Sequence, residues 1–306
     1  MERTPTLFDK QVTRKTYKPP RSPLKWHGGK HYDADWIVDR MPPHLVYVEP
    51  FFGSGKVLFS RDPSRDWFHG HPQADCQDSG KLFARHQGCS EIANDVYGEL
   101  MNFWDVIRDP EPFQEFSRQV DLTPFSQVTF ERSKLAGGSD VERAVKFFVR
   151  NRLSRQGLGK SFATMVRNRT RRRMSDQVSA YLSTIEGLPE VHDRLSRVVI
   201  LNEDAKDVIQ REDNEVTLFY CDPPYPKGSR TAKDAYEHEM TDDQHHQLLD
   251  VLRSCQGRVI LSTYPNPIYD ERLQDWNRDD NVRDNKASRS KNKGSDLKSE
   301  RIWMNF

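Results

Sequence analysis

Five short apolar runs recur along this chain, each ending in a polar or acidic residue: VYVE at 46–49, SEIAND at 90–95, RVVILNED at 197–204, VTLFYCD at 216–222 and RVILSTY at 258–264. Runs rich in Val and Ile, too short for helices and apolar at consecutive positions, are what strands buried on both faces require. Helical patterns separate them. Leu100, Phe103, Trp104 and Ile107 recur at helical spacing in 96–108, and TDDQ opens a helix over 242–255 with a capping box and with Leu248, Leu249, Val251 and Leu252 turned inward. Strands alternating with helices predict an α/β fold around a mostly parallel sheet. Such sheets meet ligands at the carboxyl ends of their strands, where Glu49, Asp95, Asp204 and Asp222 fall.

The first run leads into a glycine loop, EPFFGSGK at 49–56. A loop that wraps the phosphates of a nucleoside triphosphate reads G-x-x-x-x-G-K-[ST]. With Gly55-Lys56 set on the G-K of that motif, Pro50 stands where the first glycine belongs and Val57 where the hydroxyl belongs. Pro50 has no N–H for a phosphate and Val57 cannot ligate a metal, which argues against ATPase chemistry. What remains is a strand with an acidic end, a tight turn through Gly53 and Gly55, and a helix from about Ser54 to Ser60. That unit opens a nucleoside-binding sheet, and it is also an ordinary strand-to-helix turn.

The run VTLFYC passes straight into DPPYP, Asp222 to Pro226. A residue before proline is driven out of the helical region, so Asp222 and Pro223 continue extended beyond the strand. Prolines bring carbonyl acceptors without competing donors. A carboxylate and a carbonyl can then accept both hydrogens of one amino group, with Tyr225 nearby to stack on the ring that bears it. This is a grip for the amine of a planar base.

Charge has its own pattern. The net charge is only +1, yet Arg143 to Ser175 holds eleven Lys or Arg and no Asp or Glu, with Phe147, Phe148 and Phe162 interleaved. Such a segment is the footprint of phosphate-backbone contacts, or else a solvated charged loop. It lies within 109–195, which lacks comparable strand runs and reads as a helical insertion between two parts of the sheet. With 30% charged residues and a mean hydropathy of −0.86, the surface is polar, and no stretch reaches the length of a bilayer span. The N-terminus lacks a signal peptide's apolar centre, and Cys76, Cys89, Cys221 and Cys255 show no C-x-x-C spacing; both features predict a cytoplasmic, reducing setting.

KWHGGK (25–30), YVEPFFGSG (47–55), ND (94–95) and DPPY (222–225), in that order, closely resemble the Dam-type adenine-specific DNA methyltransferases, which use S-adenosyl-L-methionine. The resemblance runs from Pro23 to the end of the chain. It implies a Rossmann-like methyltransferase sheet formed by 22–108 and 196–306, a target-recognition domain inserted at 109–195, and a loose arm at 1–21. By the same resemblance Trp26 and Lys30 help bind the cofactor, Lys30 near its carboxylate. Glu49, Pro50, Phe51, Gly53 and Gly55 surround its methionine part, Asp95 takes the ribose hydroxyls, and Asp204 approaches the adenine. Asp222, Pro223, Pro224 and Tyr225 hold the target base. Arg150, Arg152, Arg155, Lys160, Arg167, Arg169, Arg171, Arg172 and Arg173 are the expected contacts to double-stranded DNA. A monomer is the default, and a cognate restriction enzyme is a candidate partner.

Other roles compete. Asp95 and Asp204 each precede a helix, where a cap is the alternative. Cytosine N4 and RNA methylation share the fold, but Asp at 222, rather than Ser, favours adenine. FFVRNRLSRQGLGKSFA departs from the wording of the best-known members, so the recognised sequence does not carry over. The polar stretch 62–89 with His69, His71, Cys76, His86 and Cys89 fits no common zinc spacing and reads as a surface insertion without metal. His245 and His246 are expected on a solvated helix face. The charged stretch 278–301 is expected to be an exposed loop before a last strand, IWMNF.

Overall fold

In the computed structural model, which describes residues 17–26, 28–69, 88–163, 169–226, 238–284 and 297–306, the five apolar runs are five parallel strands. The chain begins α1 (Ala34–Val38), β1 (Val46–Glu49), α2 (Lys56–Ser60), β2 (Ser90–Asn94) and α3 (Gly98–Arg108). The insertion follows with α4 (Pro110–Asp121), α5 (Gln127–Arg132), α6 (Asp140–Leu153), a hairpin of β3 (Thr170–Arg171) and β4 (Met174–Ser175), α7 (Asp176–Glu186) and α8 (Leu188–Leu195). The chain returns through β5 (Val198–Leu201), α9 (Ala205–Glu212), β6 (Thr217–Cys221), α10 (Asp242–Ser254), β7 (Arg258–Thr263), α11 (Pro267–Arg272), β8 (Asn277–Asp284) and β9 (Leu297–Met304).

The sheet order is β5-β2-β1-β6-β7-β9-β8, with β5 to β7 parallel and β9 antiparallel to both of its neighbours. Strand order reverses between β1 and β6, so the chain leaves β1 in one direction and β6 in the other. This switch point opens a crevice at the carboxyl edge. The apolar runs are continuous because both faces are covered. Tyr47, Leu218, Tyr220, Ile260 and Ile302 pack on one side, and Val48, Phe219, Cys221, Leu261 and Trp303 on the other. The helical insertion shares the first of these clusters: Phe113, Phe116, Phe130, Phe147, Phe148 and Tyr181 are continuous with Phe52, Phe59 and Trp104.

Three expectations fail here. Residues 278–301 are not simply a loop, since β8 and β9 pair over Asn277–Asp284 and Leu297–Met304. Their apolar pattern is hidden because edge strands carry charges: Arg301 pairs with Asp280 at 2.6 Å and Asp270 at 2.7 Å, and Arg40 with Asp279 at 2.5 Å. His245 does not face solvent either. It is fully buried beside Leu248, Leu249 and Leu252, with Nδ1 2.7 Å from the Tyr269 hydroxyl. Positions 245, 248, 249 and 252 form one helical face, so the spacing already placed this histidine inward. Val251, expected inward, is only half-buried.

On β2, Glu91 is buried between two arginines. Arg194 meets it in a fork at 2.5 and 2.7 Å, and Arg61 donates to the same carboxylate. Arg61 also lies 3.8 Å over the Tyr47 ring and 2.7 Å from His44 Nε2. Among the described residues no helix is long and apolar enough to cross a membrane.

Candidate active site

The crevice is a cleft of about 1070 Å³ bounded by the loops after β1, β2, β5 and β6. Its floor is the glycine loop. Gly53 and Gly55 have φ of +50° and +65°, conformations open to glycine at little cost, and Gly55 thereby turns the chain into α2. The helix starts at Lys56, after the turn. A Cβ on Gly53 would stand 2.8 Å from Trp26 Nε1 in addition to the backbone strain. Gly53→Ala should therefore push Trp26 aside, and if this loop holds the cofactor that the sequence resemblance implies, it weakens binding of that cofactor by tenfold or more, on the order of 1.4 kcal/mol, as read by equilibrium dialysis. Unchanged affinity would show that this loop does not touch the cofactor.

Neighbouring loops hold the floor rigidly. Asp95 Oδ2 accepts from the Gly53 amide at 3.0 Å and Oδ1 from the Tyr97 amide at 3.0 Å. Asn94, fully buried, donates to the carbonyls of Pro50 and Glu203 and accepts from the Glu203 amide, tying together the loops after β1, β2 and β5. Asp204 caps α9 through the Lys206 amide at 2.8 Å and also lines the cleft. Pro50, Phe51 and Trp26 line the same wall. Burial pushes the Glu49 carboxyl up to about 8, against the Tyr47 hydroxyl 2.7 Å away and Arg61, which pull it down. Burial also raises Asp95, opposed by the amides that bond it.

On the far side of the switch point, β6 delivers Asp222 next to Glu49. Asp222 and Pro224 line the cleft; Pro223 and Tyr225 are buried behind them. Lys30 lines the cleft with its side chain 4% exposed, and its ammonium lies 2.7 Å from Asp222 Oδ1, 2.5 Å from the Tyr225 hydroxyl and 3.3 Å from Glu300 Oε1. The attraction of two desolvated carboxylates decides its direction. Tyr225 in turn donates to Glu300, and Lys30 lies 4.8 Å from the centroid of its ring. Burial raises the Asp222 carboxyl to about 6, with Lys30 lowering it and Glu300 raising it.

The basic residues divide. Arg150 and Lys160 line the cleft, and Arg155, Arg169, Arg171 and Arg173 are exposed. Arg152 is turned inward instead: it follows Phe148 by one helical turn, donates to the Ala180 carbonyl at 3.2 Å, and burial pulls its guanidinium down to about 10. Arg172 is held by Glu186 at 2.8 and 3.0 Å. It begins the two-residue turn of the β3–β4 hairpin, whose central residues Arg172 and Arg173 have φ of +54° and +61°. Such turns favour Asn-Gly, so the hairpin had no sequence signal. Arg167, His71, Cys76 and His86 lie outside the described residues, among which no group of three or more His, Cys, Asp or Glu is placed to hold a metal.

Two further residues escaped the sequence reading. Asn151 grips the Lys25 backbone, accepting from its N–H and donating to its carbonyl, both at 2.8 Å. Gly157, with φ of +80°, lets the insertion approach the Lys25 carbonyl so closely that a Cβ would be 2.2 Å away. Together they fasten KWHGGK to the insertion. Glu300 had been assigned to a loop.

Residues 79–290, more than half of the chain, match the profile of the D12 class N6 adenine-specific DNA methyltransferases. The DNA adenine methylase of Escherichia coli (strain K12) is 24% identical over 253 residues, covering 79% of each chain. That of Salmonella typhi is 24% identical over 270 residues, covering 84% of this chain and 85% of its own. Among solved structures, an rRNA methyltransferase, AviRa from Streptomyces viridochromogenes, matches over 92% of this chain and 88% of its own at 15% identity with a TM-score of 0.30. A precorrin-8w decarboxylase from Methanobacterium thermoautotrophicum matches over 95% and 100% at 10% identity and 0.37.

Proposed function

Because the chain belongs to the D12 class N6 adenine-specific DNA methyltransferases, we propose that Asp222 and the Pro223 carbonyl grip the amine of an adenine extruded from duplex DNA, beside S-adenosylmethionine held by the glycine loop. The reaction is methylation of adenine N6 in DNA. The observation that carries the site assignment is the position of Asp222, which faces the cleft directly across the switch point from Glu49 and the Gly53–Gly55 turn.

The donor set fits the cofactor. S-adenosylmethionine carries a sulfonium and an ammonium, and the cleft offers Glu49, Asp95 and Asp204 along one wall. When bound, the cofactor supplies an electrophilic methyl group, so no metal is needed for activation. Lone-pair delocalisation into the purine makes the adenine amine a weak nucleophile. Asp222 and the Pro223 carbonyl, by accepting its two hydrogens, concentrate electron density on nitrogen and fix its direction. The Asp222 carboxylate is also the base within reach of the proton that nitrogen sheds. Extruding the base costs a few kcal/mol, and stacking on the Tyr225 ring, buried in the free protein, offsets part of it once the base site opens.

An acceptor role requires ionised Asp222. Its pKa is raised to about 6, so the ionised fraction is high above that value and falls as pH drops through it. Single-turnover rates should decline by tenfold per unit below about pH 5. A rate that stays flat down to pH 4 would remove Asp222 from this role.

The exposed arginines in and just before the β3–β4 hairpin are assigned to the phosphate backbone. Replacing Arg169, Arg171 and Arg173 together with Ala should reduce the slope of log Kd against log salt by roughly 2–3. An unchanged slope would place the DNA elsewhere. The reading as a whole is tested by incubating the protein with S-adenosylmethionine and unmethylated duplex DNA and identifying methylated nucleosides by mass spectrometry. N6-methyladenine is expected; N4-methylcytosine would overturn the base assignment.

A further inference from the structure

Resting on that reading of Asp222, we propose that Glu300 is a positioning residue of the base site: it anchors the Tyr225 hydroxyl and offers Lys30 a second carboxylate, so that Lys30 can release Asp222 to the incoming amine. Glu300 lies on β9, 4% exposed. Its Oε1 accepts from the Tyr225 hydroxyl and from Ser262 Oγ at 2.6 Å, and stands 3.3 Å from Lys30 Nζ.

Lys30 occupies the acceptor that the reading gives to adenine. It donates to the carboxylate oxygen Asp222 Oδ1 and, at the edge of the ring, to the Tyr225 hydroxyl. An adenine amine therefore competes with an ammonium for the same acceptor. Moving a buried ammonium away from its counter-ion is costly unless another anion receives it. Glu300 is that anion, already within ion-pair distance, so Lys30 changes partner without returning to water. The Tyr225 hydroxyl keeps its acceptor throughout, which holds the tyrosine against the end of the DPPY segment.

A purely structural role accounts poorly for Glu300. Ile302, two residues on, is an apolar residue of the same strand and packs into the core, and a buried carboxylate costs more to place in a sheet than such a side chain.

Glu300→Gln keeps the shape and removes the charge. Its kcat on unmethylated duplex DNA is expected to fall on the order of tenfold to a hundredfold, with the Kd for S-adenosylmethionine unchanged by equilibrium dialysis. Tyr225→Phe removes the anchored hydroxyl, and the double variant should be no slower than the slower single one, because both changes break one unit. A wild-type kcat for Glu300→Gln overturns the proposal, as does a cofactor Kd that rises in step with the loss of kcat. If Glu300→Gln yields no folded protein, Tyr225→Phe decides alone: reduced kcat at unchanged cofactor Kd supports the anchor, and unchanged kcat removes it. Asp222→Ala is measured alongside. Activity retained there sinks the base-site reading itself, whereas activity lost there but kept in Glu300→Gln removes only the role of Glu300.

Discussion

Asp222→Ala is expected to lower kcat by about a thousandfold while leaving S-adenosylmethionine binding nearly intact. The asymmetry follows from where Asp222 lies. Its carboxylate is at the end of β6, on the opposite side of the switch point from the glycine loop, and it accepts from Lys30 rather than from the floor of the cleft. Removing it takes away an acceptor that matters as charge develops on the amine nitrogen, and leaves Asp95 and the Gly53 turn bonded as before. The protein should also stay folded, because Lys30 keeps Glu300 and Tyr225 as partners. Single-turnover kinetics with equilibrium dialysis separate the two quantities. If dialysis shows the cofactor lost as well, Asp222 belongs to the cofactor site and the amine grip must be sought elsewhere.

The largest effect on stability is expected from Glu91→Gln, about 3–5 kcal/mol. Glu91 is the shared counter-ion of Arg61 and Arg194, all three nearly inaccessible to water. A neutral amide there leaves two guanidiniums buried without their charge partner. Only part of the loss is recovered through the Tyr47 ring, His44 and the Leu58 carbonyl, which already contact the arginines. By contrast, Glu115→Ala removes an exposed pair with Arg118 on α4 and should have no measurable effect. Urea unfolding of both variants makes the comparison. A loss under about 1 kcal/mol for Glu91→Gln would show that water reaches the cluster and screens it.

How much of this was legible follows from the range over which each signal acts. Strands buried on both faces must be apolar at successive positions, so the runs at 46–49, 90–95, 197–204, 216–222 and 258–264 announced themselves. The acidic residues after them were bound to share one edge once the strands were parallel. The glycine turn and DPPY are likewise local, because φ limits and missing amides act within a few residues. His245 was legible too, because its spacing from Leu248 and Leu252 places it on the buried face despite its polar ring.

Other features depend on partners that a linear reading cannot supply. β8 and β9 hold charges in place of apolar residues because Arg301, Asp280 and Asp270 neutralise one another across the edge. Arg172 tolerates a left-handed turn while tied to Glu186, and Arg152 turns inward because α6 has a buried face. Lys30 and Asp222 are 192 residues apart in sequence, and Tyr225 and Glu300 are 75 apart. The sequence by itself determined the strands, their acidic ends and the extended backbone of the β6 motif, since these rest on local backbone limits and on burial. Only the tertiary structure decided which charges share a site, because a desolvated ammonium takes its direction from whichever carboxylates the fold brings within a few ångströms.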